Sequence, residues 1–542
     1  MALKALKAKL AESTIGHYVE SIKSCPREII DSRRLFLSAA MYATSALPIT
    51  WDQGSSSVIS SLPGFQNAFG ITSATHPTEV SNFISFVYIG AGVGAALSYF
   101  LNDRIGRLWS FRWYMVIWIM GQVIATFSSG NIRALYAARI VSGLGIGALT
   151  VIGPVGIVEI APSEMRGLLS AWFSVVMLLS PTLSVFVVMG VYLHIASSYL
   201  QYQVVFFVPT IIVALIILGS FFLSESPRWL FLVNRSEEGI EALVALRGLP
   251  ATHPYPKPDR VTTKIRTEWL AVNTRGIVQG DLPRAIEPTP GSTDIDILRT
   301  RTSVRCKQCD FIFGTNPRDY GTWWWNGPFV VLDWHVFDGE VFFLTIISSF
   351  FFIDLMGRRK SLFTVATLQM VSHIYIAIYI KYKQSVLVST SASKVAIAAI
   401  FIHGFGYAVG LLILPYVFGA EIWPTHLRSF GSAMSQCFHW LFFFAINKST
   451  PSLLAKTDNW GAFLFFAAWC LIAIIYAYFV ILETAGERLE HFDEIFEQPL
   501  WKAYRGTKRP QAICIEACEL PVEQRNIPVK GKNESLEGVV EV

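Results

Sequence analysis

The chain has 542 residues, 53% of them hydrophobic and only 15% charged, with a formal net charge of +5. A soluble chain of this length needs more charge to cover its surface. The apolar residues run instead in long, nearly charge-free stretches, which read as membrane helices because lipid offers backbone groups no partners. The net charge is unremarkable overall, and no nucleic-acid partner is expected.

Residues 1–34 lack a compact apolar region, so no cleavable signal peptide is expected and the first membrane helix serves as the targeting signal. These residues form a charged N-terminal tail. Helices are expected near 35–62, 82–101, 109–127, 135–158, 168–194 and 201–223, a first bundle spanning 35–223. A polar connection follows over 224–305, with a short helix at Glu237–Leu246 and a proline-rich stretch at Leu249–Pro258. A second bundle is expected over 306–482, with helices near 341–356, 361–380, 395–418, 430–447 and 461–482, then a charged tail over 483–542.

Cys306 and Cys309 form a lone CxxC without a second pair, which is a poor zinc site, so neither metal nor cofactor is expected. Asn234-Arg-Ser and Asn533-Glu-Ser match glycosylation acceptors but fall on the cytoplasmic side.

Basic residues set the orientation. Seven Lys and Arg precede the first helix, and Arg104, Arg107, Arg166, Arg228, Arg235, Arg358, Arg359, Lys360 and Arg428 lie in alternate loops on that same side. The opposite loops 63–81 and 128–134 hold only Arg133, so both termini are expected in the cytoplasm. Lys381, Lys383, Lys394, Lys448 and Lys456 weaken the contrast in the second half.

One crossing is short. An even number of spans must separate Glu225-Ser-Pro-Arg228 from Asp354-Leu-Met-Gly-Arg358, yet between Arg305 and Val341 the longest uncharged stretch is Tyr320–Leu332, 13 residues. A span needs about 20. Residues 306–340 are therefore expected to be irregular, a degraded or missing helix seven.

Two blocks occur twice, at nearly the same separation. Asp103-Arg-Ile-Gly-Arg107 returns as Asp354-Leu-Met-Gly-Arg-Arg359, and Glu159-Ile-Ala-Pro-Ser-Glu-Met-Arg166 returns as Glu421-Ile-Trp-Pro-Thr-His-Leu-Arg428. Each copy ends a long apolar run, which implies two related halves and the architecture of a secondary transporter. Duplicated acid–base sets at helix ends are read as an inner gate, against the plainer account of solvated, orienting charge. Exposed pairs of this kind contribute only about 0–1 kcal/mol each, as a gate that opens requires.

Asp52 stands out within the first apolar run, since an intramembrane carboxylate is expensive and marks function by default. Counting inward at about 1.5 Å per residue puts Asp52 roughly 26 Å from Leu35, and Arg139 on the fourth helix roughly 30 Å from Glu159. The two charges thus fall at similar depth. An arginine alongside favours the ionised carboxylate and burial without it favours the protonated form, which makes a proton switch. A structural salt bridge that never titrates is the alternative. A helix ended by Pro48 would instead leave Asp52 in an outer loop. Gly143, Gly145 and Gly147, like Gly90, Gly92 and Gly94, read as small residues that let helices approach.

The motifs Asp103-Arg-x-Gly-Arg107, Arg139-x3-Gly143-x-Gly145-x-Gly147, Pro154-x4-Glu159-Ile-x-Pro162-x3-Arg166, Glu225-Ser-Pro-Arg-Trp-Leu230, Asp354-x2-Gly-Arg-Arg359 and Glu421-Ile-x-Pro424-x3-Arg428 stand in this order at helix ends. Together they resemble the sugar porter family of the major facilitator superfamily, over residues 35–230 and 341–496. Pro415-Tyr-Val-Phe-Gly-Ala-Glu421 and Phe438-His-Trp-Leu441 look most like fungal members handling sugars, sugar acids or quinate.

The resemblance implies an all-α membrane protein of two six-helix bundles, alternating access at a plasma membrane, and a monomer that is not an enzyme. It implies a hydroxylated small molecule and protons as partners. It assigns Asp52 and Arg139 to proton coupling. It assigns Asp103, Arg107, Glu159, Arg166, Glu225, Asp354, Arg358, Arg359, Glu421 and Arg428 to the inner gate.

The substrate site departs from the family pattern. Ser174 stands where helix five usually has Gln, Tyr416 takes the aromatic place on helix ten, and His439-Trp440 the pair on helix eleven, with Phe443 for a following Asn. Nothing in 306–340 matches the helix-seven Gln-Gln-x2-Gly-x-Asn. Ser174, Tyr416, His439 and Trp440, with His403, remain as ligand-facing polar groups; a protonated His439 would favour an acidic substrate. A sugar-sensing receptor on the same fold, or an inactive product of a misassembled gene model, are the competing readings.

Overall fold

The structure, a computed structural model, describes residues 27–72, 76–162, 165–249, 358–385, 390–406, 416 and 428–479. The first half begins with a short α1 (Arg27–Ile30), then α2 (Arg33–Ala43), α3 (Ala46–Ile59) and α4 (Pro63–Phe69). The long helices α5 (Pro77–Ile105), α6 (Arg107–Thr126), α7 (Ile132–Ile160), α8 (Arg166–His194) and α9 (Tyr199–Ser220) follow. Two short helices close this half, α10 (Pro227–Leu232) and α11 (Ser236–Arg247). The second half shows α12 (Arg358–Ser385), α13 (Thr390–Gly406), α14 (Arg428–Lys456) and α15 (Trp460–Phe479). Among the described residues, six helices are long and apolar enough to cross a membrane.

The expected helix 35–62 is in fact broken between α2 and α3. Pro48 lacks an N–H and its ring crowds the carbonyl one turn back. The Thr44 and Ser45 hydroxyls meanwhile donate to the Met41 and Tyr42 carbonyls at 2.6 and 2.7 Å, a local alternative to the helical ladder. The break precedes Pro48 rather than following it, so Asp52 lies inside α3 and not in a loop. The short helix expected at Glu237–Leu246 is present as α11, stopped by Gly248 at φ +66. The helix expected at 341–356, the region 306–340, Asp354 and Glu421 lie outside the described residues.

The core of the first half is built on backbone contact. A Cβ at Gly143 would lie 2.2 Å from the Val87 carbonyl oxygen, and one at Gly147 only 1.8 Å from that of Ala91, so α5 and α7 meet where no side chain fits. Gly145 faces the opposite way, onto Trp118 of α6. The halves join where α14 lies along α5 and touches α7.

Candidate functional site

Within the first half, Arg139 of α7 donates from Nη1 to Asp52 Oδ1 of α3 at 2.5 Å. Both side chains are 2% exposed. Arg139 Nε donates to the Phe83 carbonyl at 2.9 Å, and the guanidinium sits over the Phe83 ring. The arginine is thus held by α5 as well as by Asp52. Asp52 Oδ2 is buried and makes no hydrogen bond among the described residues.

At mid-depth between the halves lies an aromatic cluster. Tyr88 of α5 stacks on Trp440 of α14 with planes 9° apart and centroids at 5.9 Å, and Phe443 meets Tyr88 edge-on at 4.5 Å. His439 lies 5.1 Å from the Trp440 ring and 6.2 Å from Tyr416, which in turn faces Phe173 of α8 at 5.4 Å. Trp440 Nε1 donates across the interface to Thr150 Oγ1 of α7 at 3.3 Å.

Tyr416, His439 and Trp440 therefore come together. Ser174 does not supply the α8 contact: its neighbour Phe173 does, while Ser174 is fully buried with its hydroxyl unbonded among the described residues. His403 lies apart, its ring 4.8 Å from His373 where α12 meets α13.

A third group gathers at the charged end of the first half. Arg107, buried at the start of α6, donates from Nε and Nη2 to both oxygens of Glu159 at 2.9 Å, and from Nη1 to Asp103 Oδ1 at 2.8 Å. Two parallel bonds to one carboxylate are the strong arginine geometry. Glu225 Oε1 accepts from the backbone N–H groups of Arg107, Leu108 and Ser226 at 3.0, 3.0 and 2.9 Å. It thereby caps the N-terminus of α6 from a distant loop, where a negative charge is favoured. Gly106, at φ +101, makes room for it, since a Cβ there would lie 2.7 Å from Glu225 Oε2. Burial pushes the Glu225 carboxyl above its ordinary value, against the downward pull of these N–H donors and of Arg107.

Among the described residues, Ser429 Oγ, at the start of α14, links this network to the second half by donating to Asp103 Oδ1 at 2.7 Å. Of the remaining gate candidates, Arg166 is buried at the start of α8. Arg359 caps α15, donating from Nη2 to the Tyr478 carbonyl at 2.7 Å. Arg358 and Arg428 open α12 and α14, with side chains outside the described ones. At the far end, Lys448 Nζ of α14 donates to Asn82 Oδ1 of α5.

Ser429, Tyr88, Thr150 and His373 make contacts in these groups that no sequence motif marks. Ser429 directly follows the motif Glu421 to Arg428, whereas an aromatic or a threonine inside an apolar run carries no such sign.

The model of the family described as "Sugar (and other) transporter" matches residues 38–271 and 335–496. A probable quinate permease of Aspergillus fumigatus is 28% identical over 504 residues, covering 88% of this chain and 90% of its own length. The quinate permease of Emericella nidulans is 27% identical over 504 residues, covering 88% and 91%. Among solved structures, the proton:xylose symporter XylE bound to 6-bromo-6-deoxy-D-glucose is similar with a TM-score of 0.68 at 16% identity, covering 86% of this chain and 99% of that one. The partially occluded inward-open xylose transporter XylE from E. coli gives 0.64 at 16% identity, covering 84% and 100%. The fold is that of the major facilitator superfamily.

Proposed function

The chain belongs to the sugar (and other) transporter family, and we propose that it is a proton-coupled symporter of a sugar or a related ring acid such as quinate, working by alternating access. It is an integral membrane transporter. The finer reading puts it in a plasma membrane as a monomer, with both termini and the charged end in the cytoplasm.

The observation that carries proton coupling is the buried Asp52–Arg139 pair, with Asp52 Oδ2 making no hydrogen bond among the described residues. Protonation at Oδ2 neutralises the carboxylate and releases Arg139, which keeps its bond to the Phe83 carbonyl. α7 carries both Arg139 and Thr150, so a shift of α7 against α3 reaches the Thr150–Trp440 bond at the interface. Substrate and proton can then bias one two-state element together. The cluster of Tyr416, His439, Trp440, Tyr88 and Phe443 supports a compact ring as substrate. Aromatic faces pack against ring C–H groups, and His439, when protonated, complements a carboxylate.

Uptake of a radiolabelled panel of hexoses, sugar acids and quinate into transporter-null cells tests the reading. Concentrative uptake of one of these, abolished by a protonophore and by Asp52→Asn while exchange survives, is the expected result. Uptake that only equilibrates and ignores the protonophore would make the protein a facilitator. Panel-wide silence in well-expressed protein would favour the receptor or gene-model readings.

A further inference from the structure

We propose that Ser56 relays protons to Asp52 from the far end of the first half; this deepens, and rests on, the reading of Asp52 as the coupling carboxylate. Asp52, Ser56 and Ser60 stand at i, i+4 and i+8 on one face of α3 and its C-cap, and all three are buried. Each step of four residues rises about 6 Å along the axis. Helical side chains lean toward the N-terminus, so the Ser56 hydroxyl leans toward Asp52 and that of Ser60 toward Ser56. Ser61, beyond Ser60, is exposed. The stripe thus runs from the surface to the carboxylate.

Two atoms on this stripe are left over. Asp52 Oδ2 and Ser56 Oγ are both buried and neither makes a hydrogen bond among the described residues. Buried polar groups of this kind are nearly always satisfied, by protein or by water. Two of them one turn apart on one helix face suit a single bridging water, which needs several polar partners. Ser55, by contrast, is committed: its hydroxyl donates to the Trp51 carbonyl at 2.9 Å.

The relay is a proton exchange with no redox change. Ser56 Oγ takes a proton on a lone pair from the Ser60 side and passes its own hydroxyl proton through the water to Asp52 Oδ2; Ser56 ends as it began.

Among the described residues, the ionisable groups of the helices packed on α3, apart from Arg139, lie toward the helix ends, Tyr192 and His194 of α8 among them. α3 packs on α8, α7 and α9. α8 carries no ionisable residue between Arg166 and Tyr192, and it presents Ser184 and Pro181 to Gly54. α7 contributes Arg139, the partner of Asp52. The ionisable residues of α9 are Tyr199 and Tyr202 near its start. Asp52 is the acceptor at the end of the stripe.

The test needs no substrate. The purified full-length protein is subjected to a rapid pH drop while the C=O stretch of protonated carboxyl is followed by infrared spectroscopy, the Asp52 band being the one absent from Asp52→Asn. Ser56→Ala should slow the appearance of that band about tenfold or more without moving its titration midpoint. Ser56→Thr, which keeps a hydroxyl, and Ser55→Ala should keep the wild-type rate. An unchanged rate in Ser56→Ala overturns the relay and leaves the coupling reading intact. A shifted midpoint with an unchanged ratio of rates makes Ser56 merely structural and also overturns it. If no titrating band is lost in Asp52→Asn, the coupling reading itself fails and the relay with it.

Discussion

Ser429 Oγ donates to Asp103 Oδ1 at 2.7 Å, and this bond ties the charged end of α5 to the start of α14, joining the two halves of the chain. Asp103 also accepts from Arg107, so the crossing bond hangs on the same buried arginine that holds Glu159. A carboxylate facing the first turn of α14 is in addition favoured by the helix N-terminus.

If this bond helps keep the inner gate shut, Ser429→Ala removes a hydrogen bond to a charged group, worth about 1.5–3 kcal/mol, and should raise the inward-open population about tenfold or more. Charge reversal at Glu159 should do the same by stripping Arg107 of its bidentate partner. Labelling of a single reporter cysteine in the pathway from the cytoplasmic side measures the population. Equal labelling in both variants and wild type would leave the network as an orientation signal only.

Glu225 gives a pH test. Its carboxyl is raised above the ordinary 4.5, chiefly by burial. A carboxyl with a folded value above its unfolded one binds more protons in the folded state between the two values. Its ionisation therefore costs the fold stability at neutral pH, and that cost is relieved as pH falls through the raised value toward 4.5. Glu225→Gln keeps an oxygen for the three N–H donors but cannot titrate. Its Tm should accordingly lack the component that rises on acidification over this window in the wild type. Parallel Tm–pH curves for the two proteins would contradict the assignment.

The contact of α5 with α7 predicts a steep penalty for one methyl group. A Cβ at Gly143 would fall 2.2 Å from the Val87 carbonyl oxygen, which is backbone and cannot swing away. Gly143→Ala should therefore force the helices apart and cost about 1–3 kcal/mol, as overpacked cores do. Gly190→Ala, where nothing lies within 4 Å of the added carbon, should be neutral or slightly stabilising through helix propensity. Thermal unfolding in detergent compares the two; equal Tm values would show that the helices slide apart freely.

The parts of this molecule that were legible in its sequence were those that break a pattern. Asp52 and Arg139 are charges inside apolar runs, so their depth could be counted and their meeting anticipated. Arg107 and Glu159 stand at helix ends in repeated motifs and Glu225 in a further motif that occurs once, but nothing in the motifs says that Glu225 would cap α6 by its carboxylate rather than pair with an arginine. Tyr88 and Thr150 conform to their surroundings, and only the approach of α14 to α5 and α7 gives them partners. The break before Pro48 is not legible in the sequence, because the hydroxyls of Thr44 and Ser45, as well as the ring, decide where the helix yields. Ser174 is marked by motif position alone, and because a helix turns through about 100° per residue its neighbour Phe173 is the one whose ring meets Tyr416.

The Asp52–Arg139 pair is the most demanding case, because the two residues must be tested as a unit. Asp52→Asn keeps the shape but leaves the Arg139 cation buried without its counter-charge, a loss of about 3–5 kcal/mol where the site cannot admit water. Arg139→Gln leaves the Asp52 charge buried, though a carboxyl can escape by taking a proton, so its cost should be smaller. Removing both charges together removes the cause of both penalties. The double variant should therefore unfold at a higher temperature than Asp52→Asn alone, with a coupling energy of about 1–3 kcal/mol in the double-mutant cycle. It should nevertheless fail to accumulate substrate, because neither a proton acceptor nor a charge to release remains. Stability is read from thermal unfolding and coupling from uptake driven by an imposed pH gradient. Additive losses of stability would mean that the two residues do not act on each other. Recovered accumulation in the double variant would mean that the proton is carried elsewhere.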